Sequence, residues 1–165
     1  MSSGNFTKLY VDQLKDLYSA ETQLTAALPK LAKAASTPAL QEAFQMHLEE
    51  TKGHVQRIEQ IFETLEGSPK GKKCKAMEGL IEEGAELLKE KNKFEAEVLD
   101  AGLIGAAQRV EHYEIAAYGT ARTLAQQLGD TAAANLLQQT LDEEYAADQK
   151  LTALATGGIN AEARA

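Results

Sequence analysis

Tryptophan is absent from the 165 residues, cysteine occurs once and proline three times, and aromatic residues make up only 5%. A lone Cys74 rules out an intramolecular disulfide framework and a cysteine-ligated metal cluster, leaving an ordinary reduced thiol in a loop. Strand-length β-branched runs are missing as well, so nothing favours a sheet. No apolar run approaches the length of a membrane span, and MSSGNFTKLYVDQL lacks the basic start and apolar stretch of a secretory signal, which points to the cytoplasm. A basic face is also lacking: the formal net charge is −8 and the pI about 5.0. Nucleic acid and anionic membrane both require such a face to displace counterions, so neither is expected as a partner. The local exception, KGKKCK from Lys70 to Lys75, reads as a solvated loop.

What is abundant is Ala, Leu, Glu, Gln and Lys, the residues with the best helix propensity. One all-α domain over 1–165 is expected, with its core from about 7 to 156 and a disordered tail at 157–165. A first helix runs from near Thr7 to about Ala35, with a kink at Pro29. Thr37 and Pro38 read as N-cap and first helical residue of a second, which stops at Gly67. A shorter amphipathic helix carrying Met77, Leu80, Ile81, Leu87 and Leu88 ends around Asn92, inside a long crossover. A further helix runs from Glu95 or Asp100 to Leu128, Gly129 stops it, and Asp130 caps a last one reaching about Ala155. Two hairpins joined by one long crossover predict a ferritin-like four-helix bundle.

Several carboxylates interrupt the apolar stripes of these helices. Leu103, Ala107, Val110, Glu114, Ala117, Ala121, Leu124 and Leu128 follow one another at three- and four-residue steps, so Glu114 should face the core. Glu21 is flanked in the same way by Leu14, Leu17, Leu24 and Leu28. The last helix adds Glu144 and Asp148, one turn apart. In the second helix His47 and His54 interrupt the stripe, with Glu50 on its edge, and either histidine could serve as a ligand. Glu111, one turn before Glu114, is a further ligand or a partner of one. Tyr18, Tyr113, Tyr118 and Tyr145 lie within a turn of the acids and offer hydroxyls to them.

Glu21 precedes Glu50 by 29 positions and Glu114 precedes Glu144 by 30. The turns fall near the middle of each interval, so all these groups lie roughly 20 to 23 Å from their turns, in one layer. Buried carboxylates without partners cost several kcal/mol or take up protons. Two divalent cations would supply +4 against Glu21, Glu50, Glu114, Glu144 and Asp148. The oxygen-rich ligands with imidazole suit iron or manganese.

The stretches LYSAETQL, HLEETKGHV, KCKAMEGLIEEG, VEHYEIAAYGT and LDEEYAADQKL together resemble the YciE/YciF family of ferritin-like bacterial stress-response proteins, over nearly the whole chain. The resemblance implies a cytoplasmic, often dimeric protein with a dimetal site, and no established substrate. Glu50 and His54 stand four apart rather than the three usual in ferritin-like sites, and Asp148 takes the place of a second histidine. The added negative charge should favour a harder or more oxidised ion pair. Three functions follow as expectations: a dimetal oxidoreductase using dioxygen or hydrogen peroxide, a metal-binding or sequestering protein, and a non-catalytic homodimer or partner-binding protein with a vestigial site.

Overall fold

A computed structural model describes residues 2–165. Four long helices form the bundle: α1 (Ser2–Ala34), α2 (Pro38–Phe62), α4 (Ala96–Gln127) and α5 (Thr131–Leu154). Helix α3 (Lys75–Lys89) and a single 3-10 turn, Lys91–Lys93, occupy the crossover, and α6 (Asn160–Arg164) ends the chain. Among the described residues there is no strand, and no helix is long and apolar enough to cross a membrane.

The α4–α5 turn follows the expected chemistry. Gly129 has φ +78, a conformation costly for any residue with a Cβ. Its N–H donates to the Gln126 carbonyl and that of Asp130 to the Ala125 carbonyl, which closes α4 as a Schellman motif. The Asp130 carboxylate then accepts from the Ala133 N–H (3.0 Å), capping α5.

The α1–α2 turn is built differently. Thr37 precedes Pro38 as expected, but its side chain makes no cap bond within α2. Instead, fully buried Asp100 on α4 reaches across. Its Oδ1 accepts from the Ser36 N–H and its Oδ2 from the Thr37 N–H, each at 2.8 Å, and Oδ2 also accepts from both hydroxyls. One carboxylate from the second hairpin thereby satisfies the turn of the first.

Some boundaries shift. Helix α1 continues through Pro29 to Ala34 as one element. Helix α2 ends at Phe62, short of Gly67, where Thr64 and Leu65 turn to tighter bonds with the Ile61 and Phe62 carbonyls. The expected disordered tail at 157–165 is replaced by α6, because Ile159 is buried in the core. Cys74 is buried rather than a loop thiol: its N–H donates to Ser19 Oγ (2.9 Å), and its Sγ accepts from the Met77 N–H at the start of α3. Burial pushes its pKa up.

The apolar core is divided in two. One cluster holds Leu24, Leu28, Leu40, Phe44, Leu103, Ile104 and Leu151; the other holds Tyr10, Leu14, Leu17, Ile58, Ile61, Ala121, Leu137 and Leu141. Each fully buried leucine contributes about 1.5–3 kcal/mol. Between the clusters lies a layer of buried ionisable groups.

Candidate metal centre

Helix α1 contributes Glu21 to this layer, flanked by Leu17 in one cluster and Leu24 in the other. On α2 the buried stripe runs Leu40, Phe44, His47, Thr51, His54, Ile58, Ile61 in alternating steps of four and three, so both imidazoles face inward one above the other. Helix α4 places Glu111 and Glu114 one turn apart, and α5 adds Glu144. All six side chains are buried.

Ligand atoms of His47, Glu111, Glu114 and Glu144 lie within 4.8 Å of one another, and so do those of Glu21, His54 and Glu144. Glu144 belongs to both groups. Two histidines seven residues apart stand in these groups where Glu50 and His54 were expected together. Glu50 and Asp148 lie outside both groups. The Glu50 side chain is 40% exposed, with Oε2 3.4 Å from His47 Nδ1. Asp148 turns to the α4 flank, where it accepts from Gln108 Nε2 (3.1 Å) and sits 3.2 Å from His112 Nε2. Glu50 stands one residue before Thr51 of the buried stripe, and Asp148 is drawn aside by its contacts with Gln108 and His112 on α4.

The two imidazoles present different nitrogens. His47 Nε2 is 3.2 Å from Glu111 Oε1 and 3.8 Å from Glu144 Oε2. In His54 it is Nδ1 that points inward, 3.2 Å from Glu21 Oε1 and 3.0 Å from Glu144 Oε1. Its Nε2 is 2.8 Å from Glu143 Oε2, and Arg57 grips Glu143 through Nη1 (2.6 Å) and Nη2 (2.7 Å) while also donating to Thr140 Oγ1. A carboxylate on Nε2 calls for the proton there and leaves the Nδ1 lone pair free for the centre. Of the four tyrosines, only Tyr118 donates to an acid of the layer, Glu21. Tyr18 bonds Glu59, Tyr113 bonds Asp16, and Tyr145 is exposed.

Burial and mutual charge set the protonation of this layer. Burial raises the Glu114 pKa well above the usual carboxylate range, and the charges of Glu144, Glu21 and Glu111 push the same way. Glu144 is raised chiefly by burial. Burial alone would lift Glu111 and depress both histidines, but charge pairing outweighs it: His47 holds Glu111 down, Glu111 lifts His47, and Glu21 with Glu144 lifts His54 to about 10.

Hydrogen bonds do not satisfy these groups. Among the described residues Glu21 Oε2, His47 Nε2, His54 Nδ1, Glu111 Oε2 and both oxygens of Glu114 and Glu144 are buried without a partner in bonding geometry. Native proteins carry only a few such atoms per hundred residues, and here eight fall in one layer. Four carboxylates offset the +4 of two divalent ions, and four oxygen ligands with two imidazoles suit iron or manganese. The residues fit a dinuclear centre.

The family model described as "Domain of unknown function (DUF892)" matches residues 5–164. The chain belongs to this family. Within it, the chain is 53% identical over 164 residues to Protein YciF of Escherichia coli (strain K12), covering 99% of this chain and 98% of that protein. The crystal structure of the E. coli stress protein YciF superposes with a TM-score of 0.89 at 52% identity, covering 94% of this chain and 97% of that one. YcfI of Rhodopseudomonas palustris, described as a structural protein, superposes at 0.84 and 40% identity, covering 89% and 92%. The chain shares its helical bundle with these relatives.

Glu143 provides a test of how His54 is oriented. Glu143→Gln should weaken metal binding about 10- to 100-fold by releasing the imidazole, with little change in helix content. Competition titration with a chelating dye would measure this, and unchanged affinity would show that Glu143 serves only Arg57.

Proposed function

We propose that the protein binds a pair of iron or manganese ions in the layer between its two apolar clusters and acts on dioxygen or hydrogen peroxide there. The observation that carries this reading is the set of six buried donors, aimed at common points and lacking hydrogen-bond partners among the described residues. Glu21, His54 and Glu144 would hold one ion, and His47, Glu111 and Glu114, with Glu144 between, the other. When bound, such a pair supplies reversible one-electron oxidation states beside an open coordination position. The chain's own part is to exclude bulk water with the two apolar clusters and to orient His54 through Glu143. A cavity beside His47 and Glu111 provides entry for a small oxidant.

A structural role is the second reading, favoured by the description of the R. palustris relative. Metal content separates the two. Protein prepared without chelator should carry about two ions per chain, and refilling the dialysed protein with Fe(II) or Mn(II) should raise its melting temperature, since a ligand of the native state alone stabilises it. No stoichiometric metal and no shift with either ion would favour the structural reading.

This rise should depend on pH. A histidine with a raised folded pKa stabilises the fold fully below its unfolded value of about 6.5, and that contribution is lost as pH climbs through about 10. Raised carboxyls act in the same direction: Glu114 and Glu144 favour the fold while protonated. Metal-free stability should therefore fall from about pH 6 to about pH 8, while the gain on adding Mn(II) grows, because metal binding displaces the protons. Scanning calorimetry under anaerobic conditions would show it, and a gain independent of pH would place the metal elsewhere.

A further inference from the structure

Between α2 and α5 a cavity of about 200 Å³ leads from His47 and Glu111 toward the surface. Its walls are Ala43, Phe44, Met46, Ala147 and Leu151, and Lys150 stands at the mouth. The space exists because short side chains occupy positions on both helices where leucine would close it. It is also larger than dioxygen or peroxide requires: water occupies about 30 Å³ in the liquid, and an apolar cavity of about 150 Å³ accommodates benzene.

The charges around it are unequally placed. Lys150 Nζ lies 3.3 Å from Met46 Sδ and forms no ion pair with a carboxylate among the described residues. The inner end carries Glu111, with His47 Nε2 and Glu111 Oε2 buried and without a hydrogen-bond partner, while the Glu50 side chain lies 40% exposed on the flank beside His47. An anionic group is attracted to Lys150, whereas the buried Glu111 carboxylate opposes it at the inner end.

We propose that this cavity binds a small monocarboxylic acid with a compact apolar body, aromatic or short-chain, its carboxylate on Lys150 and its far end against His47 and Glu111. The acid would be the organic substrate of the centre, and that role rests on the dimetal reading; its binding does not. Phe44 and Leu151 supply apolar contact, and Met46 adapts to the shape of the body.

Benzoate and its uncharged analogue benzamide are suitable probes. Adding benzoate to isotope-labelled protein should give saturable amide shifts confined to residues around Ala43, His47, Ala147 and Leu151, with a dissociation constant on the order of 1 mM. Benzamide should bind about two- to fivefold more weakly, and Lys150→Gln should remove that difference. Ala147→Leu should abolish the shifts while leaving metal uptake intact; Ala146→Leu, at the exposed rim, does the same should the first variant not fold. In the Mn(II)-loaded protein the benzoate ring protons should relax faster, an effect lost on filling the cavity. Absence of saturable shifts in both metal-free and loaded protein, or shifts that survive both leucine variants, would overturn the site. Equal binding of benzamide would overturn the choice of an acid. Shifts without metal uptake would refute the dimetal reading and leave the cavity assignment standing, and metal uptake without shifts would do the reverse.

Discussion

Glu114→Met should stabilise the metal-free protein by about 1–3 kcal/mol while reducing metal content from about two ions per chain to at most one. Both carboxyl oxygens of Glu114 are buried without a partner in bonding geometry among the described residues, and the charges of Glu144, Glu21 and Glu111 oppose its ionisation, with His47 in the same group. Methionine has nearly the same length, follows the same path between the helices and needs no partner. Removing a buried polar group that bonds to nothing recovers its desolvation cost, the reverse of an ordinary core truncation. In a chain of this size the gain corresponds to a rise of about 2–12 °C in melting temperature. Added Mn(II) or Fe(II) should raise the melting point of the parent protein much more than that of the variant. Calorimetry with metal analysis on the same samples would check both halves. A variant destabilised as much as a large-to-small core change would mean that Glu114 has a structural role, and would argue against a site kept at the expense of stability.

Asp100→Ala should have the opposite effect, a loss of about 3 kcal/mol or more, because one side chain satisfies four donors of the α1–α2 turn. Without it the Ser36 and Thr37 N–H groups are left under α4 with no acceptor supplied. Asp100→Asn keeps the shape but turns an amide NH₂ toward donors, so it should fall between alanine and the parent. Denaturant titrations of the three proteins would rank them. A loss below about 1 kcal/mol for alanine would show that water replaces the carboxylate easily. Because Asp100 fixes the first hairpin against the second, the alanine variant should also bind metal more weakly, though none of its atoms belongs to the centre.

The order of helices, the four-helix bundle and the inward-facing acids were all legible in the periodicity of single helices. Glu21, Glu114 and Glu144 each sit on a stripe of leucines and alanines, and the structure places each at zero exposure. Contacts that join separate helices were not legible in this way. Nothing local marks Asp100 as the acceptor for Ser36 and Thr37, and nothing local pairs Glu143 with His54. The second helix was within reach: the stepping that picks out Glu114 also passes through His47, Thr51 and His54. The spacing of Glu50 and His54, by contrast, pairs a buried imidazole with a residue on the flank. Asp148 continues the α5 stripe by its spacing, and its contacts with Gln108 and His112 on α4, which no local pattern marks, hold it on the flank.

The two histidines, one facing the centre through Nε2 and the other through Nδ1, make the halves of the layer inequivalent. One half has three further carboxylate donors around its imidazole, the other two, with Glu144 counted in both. A pair of ions held there would be distinguishable partners rather than twins. Loading would proceed in two resolvable steps, two different metals could sort themselves between the positions, and the two electrons of a full redox cycle would be taken up at separate potentials.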